Sequence, residues 1–94
     1  MTEDATTSDP FSSVAADQLD ALEVNDPDLC ADVLAVCNLV FTDPGRAQSA
    51  SSAIQTPQGI RFRLAVPCRH PYKVFWSSDG ANGSRRIEAV FPHP

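Results

Sequence analysis

Apolar positions in the first half of the chain recur with the period of a helix, whereas those in the second half alternate one by one. Phe11, Val14, Ala15, Leu19 and Leu22 share one helical face, and Ser8 or Asp9 before Pro10 supplies a cap and a proline in the first turn. The pattern predicts a helix over residues 10–23. A sharper start follows: Asp26 can cap, Pro27 suits the first helical position, and Asp28 sets negative charge against the positive end of the helix dipole. Leu29, Cys30, Val33, Leu34, Val36, Cys37, Val40 and Phe41 then form a broad apolar stripe, predicting a core-packed helix over residues 26–41 that stops at Asp43-Pro44-Gly45.

Residues 46–58 are rich in Ser, Ala and Gln and read as a loop, with at most a weak helical turn near residues 50–54. After Gly59 the period changes. Ile60, Phe62, Leu64 and Val66 alternate with Arg61, Arg63 and Ala65, so residues 60–66 form a strand with one apolar and one basic face. A turn over residues 67–71 leads to a second strand, 72–78, with Tyr72, Val74 and Trp76 opposed to Lys73, Phe75 and Ser77. Residues 79–84 carry Gly/Asn hairpin chemistry, and a third strand over 85–91 sets Ile87, Ala89 and Phe91 against Arg86, Glu88 and Val90. The expected architecture is α+β: two N-terminal helices packed on one face of a three-stranded antiparallel β-meander. Residues 1–9 have nothing to bury and read as a disordered acidic tail, leaving residues 10–94 as a single domain.

Composition narrows the class. With 94 residues, 43% hydrophobic and 20% charged, the chain suits one small core and not a wholly disordered protein. No apolar run approaches the roughly 18–20 residues of a membrane span. Glu3, Asp4 and Asp9 stand near the start without a Lys or Arg, which argues against a secretory leader and for a cytoplasmic protein. Cys30, Cys37 and Cys68 lack metal-ligand spacing and read as free thiols, the first two buried on the helical stripe.

Charge is divided more sharply than the net −5 suggests: ten of the 12 acids lie in residues 1–45, and all seven basic residues lie in residues 46–94. The division fits either attraction between the two halves of the fold or a basic surface on an acidic protein. Apolar residues on one side of the first strand force Arg61 and Arg63 to the other, where Lys73, Arg86 and Phe75 join them. Cations gripping phosphate and an aromatic stacking on a base are what nucleic-acid recognition requires, although basic residues also protect exposed strands. Arg69, in the turn, belongs to the same candidate binding set. His70 and His93 are the only imidazoles and hence the natural proton-transfer groups, with His93 depending on the last strand to hold it. Phosphate-loop, dinucleotide, serine-hydrolase and zinc-protease signatures are absent, so neither a cofactor nor a metal is expected.

Three runs carry a resemblance: Gly59-Ile60-Arg61-Phe62-Arg63-Leu64, Pro71-Tyr72-Lys73-Val74-Phe75-Trp76 and Ile87-Glu88-Ala89-Val90-Phe91. They resemble the last three strands of the RelE/ParE superfamily of bacterial toxins, and the Asp26-Pro27-Asp28-Leu29 helix is similar to that family's second helix. The family's N-terminal strand has no counterpart in residues 1–9. The resemblance implies the toxin of a type II toxin–antitoxin system, with a cognate antitoxin as partner and a ribosome-dependent mRNA endoribonuclease activity. In that reading Arg61, Arg63, Lys73 and His93 are catalytic: the cations stabilise charge on the phosphate, and the histidine moves a proton. The alternatives are a ParE-like toxin acting on a protein target such as DNA gyrase, and an inactive small binding protein.

Overall fold

The structure, a computed structural model, describes residues 10–78 and 84–94. Within them the chain is α+β, with three helices followed by a four-stranded antiparallel meander of order β1-β2-β3-β4. The helices are α1 (Ser13–Asn25), α2 (Pro27–Thr42) and α3 (Pro44–Ala50), and the strands are β1 (Ser52–Thr56), β2 (Gly59–Ala65), β3 (Tyr72–Ser78) and β4 (Arg85–Pro92). The coarse expectation holds, with one more helix and one more strand than the alternation indicated. The expected tail, residues 1–9, and most of the last hairpin connection, residues 79–83, lie outside the described residues.

The additional elements occupy the stretch read as a loop. Asp43-Pro44 does stop α2, and the same pair also starts α3: the Asp43 carboxylate accepts the Arg46 N–H at 3.2 Å, with Pro44 in the first turn. Asp26-Pro27 opens α2 in the same way, accepting the Leu29 N–H at 3.2 Å. β1 then pairs with β2 through a tight turn, Thr56-Pro57-Gln58-Gly59. Gly59 adopts φ +113°, a conformation costly for any residue with a Cβ, and Thr56 Oγ1 donates to its carbonyl at 2.6 Å.

The first helix begins later than predicted, at Ser13, because residues 10–12 are drawn against the sheet. Phe11 forms a parallel bridge to Ile87, Ile87 N–H donates to Pro10 O at 2.8 Å, and Ser12 N–H donates to Ile87 O at 2.9 Å. Ser12 Oγ accepts the Ala15 N–H at 3.0 Å, capping α1, and donates to Glu88 O at 2.6 Å. Farther along, Gln18 Oε1 accepts the Val90 N–H at 2.6 Å, so polar groups on the outer side of β4 are satisfied by the chain that precedes and forms α1. Replacing Ser12 with alanine removes the cap and strips Glu88 O of its donor in a site only 8% exposed. The expected loss is about 1–2 kcal/mol, measurable by urea denaturation. An unchanged midpoint would contradict the dual role.

The core lies between the helices and one sheet face. Val33, Val36, Cys37 and Val40 of α2 meet Leu64, Val66, Val74, Trp76, Ile87 and Val90, with Ala15, Leu19 and Ala47 closing the sides. Leu34, read as part of the stripe, is instead exposed, because the apolar arc of α2 is wider than the surface it covers. Among the described residues, no helix is long and apolar enough to cross a membrane.

All three cysteines are free; Cys30 and Cys37 are buried and Cys68 is exposed. Burial pushes the Cys37 thiol up to about 12, and burial assisted by Glu23 and Asp20 raises Cys30. At pH 8 a thiol reagent should therefore modify Cys68 rapidly and the other two only through opening of the fold. Because the folded Cys37 value lies above the unfolded one, its contribution to stability is intact below the ordinary thiol range and is lost as pH climbs through it toward about 12. Alkaline unfolding that Cys37→Ala leaves unaltered would contradict that assignment.

Candidate functional site

The sheet face away from the helices carries the candidate chemistry. Cross-strand partners share a face, and the pairs Arg63↔Phe75, Phe75↔Ala89 and Lys73↔Phe91 therefore stand together on the open side. Arg61 on β2 and Arg86, partner of Ser77, belong to the same side. The alternation predicted for the last strand fails here, since it set Phe91 and Ala89 beside Ile87. Trp76 pairs with Ile87 but Phe75 pairs with Ala89, leaving Glu88 as an extra residue in a β-bulge. The bulge moves Ala89 and Phe91 to the open face while Ile87 and Val90 both point into the core. Glu88 is held by its carboxylate as well, which accepts from Ser77 Oγ at 2.6 Å.

Four side chains converge at one end of this face. The rings of Phe75 and Phe91 stack with centroids 4.7 Å apart and planes 13° from parallel. His93 sets its edge against both, at 5.4 Å from Phe75 and 6.1 Å from Phe91. Arg63 Nη1 reaches His93 Nδ1 at 3.2 Å. A guanidinium can only donate, so the contact is a hydrogen bond in the tautomer whose Nδ1 accepts and whose proton sits on Nε2. The histidine is not left to fray: its backbone N–H donates to Pro71 O at 2.8 Å, and Lys73 Nζ donates to the same carbonyl at 3.2 Å.

The expected site residues thus separate into three groups. Arg63, Lys73, Phe75 and His93 are brought together, whereas Arg61 and Arg86 share their face without a side-chain partner among the described residues. Arg69 turns instead to the helices, its Nε donating to Asp32 Oδ2 at 2.7 Å, and this bond together with the nearby acids raises its pKa. That exposed pair embodies the attraction between acidic and basic halves that the charge division allowed.

Phe75 lies beneath Phe91 and His93 with only 9% of its surface accessible, so the more accessible ring of the stack is Phe91, which the alternation places on the opposite face. His70 is exposed, in the turn before Pro71. No cluster of three or more metal-ligating side chains occurs among the described residues. Comparison of the chain with protein families, with curated proteins and with solved structures finds no match.

Proposed function

We propose that the open face of the sheet binds a single-stranded RNA, and that the chain is the toxin of a toxin–antitoxin pair that cleaves ribosome-bound mRNA there. The observation carrying this reading is the Arg63–His93 contact, which joins a phosphate-binding cation to a proton-transfer group beside an aromatic platform. Arg61, Arg63 and Lys73 supply charge for phosphate oxygens, and the accessible side of Phe91 offers a base a stacking surface. Once Nδ1 takes up a proton from solvent, the imidazolium of His93 can give its Nε2 proton to the departing 5′ oxygen. The ribose 2′ oxygen, its own proton passing to water, bonds to phosphorus as the P–O5′ bond breaks, leaving a 2′,3′-cyclic phosphate and a neutral ring. A cognate antitoxin would restrain the toxin by covering this face.

The reading is tested by binding of a fluorescent single-stranded RNA to the wild type and to the Arg61→Gln/Arg63→Gln variant across a salt series. Affinity should fall at least about tenfold and the salt slope by about 0.7 for each lost phosphate contact. Unchanged affinity and slope would remove RNA from this face. Retained toxicity in the wild type with altered DNA supercoiling and intact mRNA would favour a protein target such as DNA gyrase.

A further inference from the structure

A cleft on the helix side of the sheet lies apart from the open face. Its volume is about 520 Å³, and Ala35, Val36 and Leu39 of α2, Arg46 of α3, and Pro67 and Cys68 of the β2–β3 connection line it along with Asp32. The size suits a small organic molecule, and apolar groups dominate the lining. Its charges are asymmetric. Asp32 is already engaged by Arg69 at 2.7 Å, whereas the guanidinium of Arg46 has no hydrogen bond or ion pair among the described residues. Asp43, the nearest acid in sequence, is occupied in capping α3 through the Arg46 backbone N–H. An apolar hollow with one uncommitted guanidinium complements a ligand that is apolar along its body and anionic at one end.

We infer that this cleft binds a small apolar carboxylate, with the hydrocarbon portion against Ala35, Val36, Leu39 and Pro67 and the carboxylate on Arg46. The planar fork of the guanidinium matches a carboxylate in two parallel hydrogen bonds, and the hydrocarbon excludes water from that pair. Binding here does not depend on the RNA reading, because no residue is shared with the open face.

Cys68 supplies the readout, being the exposed thiol at the rim. Octanoate should slow iodoacetamide labelling of Cys68 to a saturable limit. The uncharged 1-octanol should need about tenfold more ligand for the same protection, the ratio expected for loss of one charge-assisted contact. Arg46→Gln should abolish the preference for octanoate, and Ala35→Trp should fill the hollow and abolish protection by both. Residue 35 is exposed, so the larger ring should fit without disturbing the core, which a thermal melt checks. In the wild type, octanoate should shift the backbone amides of Val36, Leu39, Arg46 and Cys68 along one saturating curve. Shifts that do not saturate, shifts centred on the open face, or an octanoate preference that survives Arg46→Gln would each overturn the inference.

Discussion

Replacing Trp76 with alanine is expected to lower the melting temperature by about 12–40 °C. The indole is 1% exposed, packs on Phe62 with ring centroids 4.6 Å apart, and donates its N–H to Ser51 Oγ at 3.1 Å. It therefore ties the middle of the sheet to the junction between α3 and β1. Truncating a buried tryptophan costs about 3–5 kcal/mol, against a total stability of about 5–15 kcal/mol for a domain. At this size each kilocalorie displaces the melting temperature by about 4–8 °C. Trp76→Phe should do much less harm, about 1–2 kcal/mol, because a ring remains on Phe62. Ser51 Oγ also keeps its own bond to Ala47 O at 2.6 Å. Circular dichroism melts of the two variants decide the matter: an alanine variant melting within a few degrees of the wild type would mean that the sheet does not depend on this anchor.

Much of this fold was legible because its local signals agree with its tertiary packing. Asp26-Pro27 announces α2, and the alternation over residues 60–66 separates Leu64 and Val66 in the core from Arg61 and Arg63 outside it. Where the reading failed, one local signal had two uses. Asp43-Pro44 signals a helix stop, yet an aspartate before a proline is equally an N-cap, and the structure uses the pair as both. β1 escaped notice since Ser52, Ala53 and Gln55 are exposed, as befits a strand at the outside of a sheet with little to bury, and only the Thr56-Pro57-Gln58-Gly59 turn marked it.

The candidate site was half legible for a similar reason. Arg63, Lys73 and Phe75 follow from period alone, but Phe91 reaches their face through the bulge at Glu88, and nothing in a run of alternating residues signals an added one. His93 can be named as a candidate proton-transfer group by its chemistry. What holds it cannot, for its anchors are a carbonyl more than twenty positions earlier and an arginine two strands away.

Those anchors set the expected result for His93→Ala: RNA cleavage reduced by about 10²–10⁴, the range for loss of a general acid, with RNA affinity nearly preserved. Phosphate would still meet Arg61, Arg63 and Lys73, none of which needs the imidazole to remain charged. His93→Asn separates placement from proton transfer. Its side-chain oxygen can accept from Arg63 much as Nδ1 does, yet the amide has no proton to release at neutral pH. Binding as in the wild type with cleavage as low as in the alanine variant would assign the histidine's role to the proton. Arg63→Gln should weaken both steps, since on the proposed reading the arginine meets phosphate and its contact with Nδ1 also orients the ring. If the two residues act as a unit, Arg63→Gln/His93→Ala will cleave scarcely more slowly than the worse single variant, because the interaction has already been lost. Fully additive losses would show that the 3.2 Å contact does not couple them. Undiminished cleavage in His93→Ala would take the proton transfer away from this residue and leave the open face as a binding surface alone.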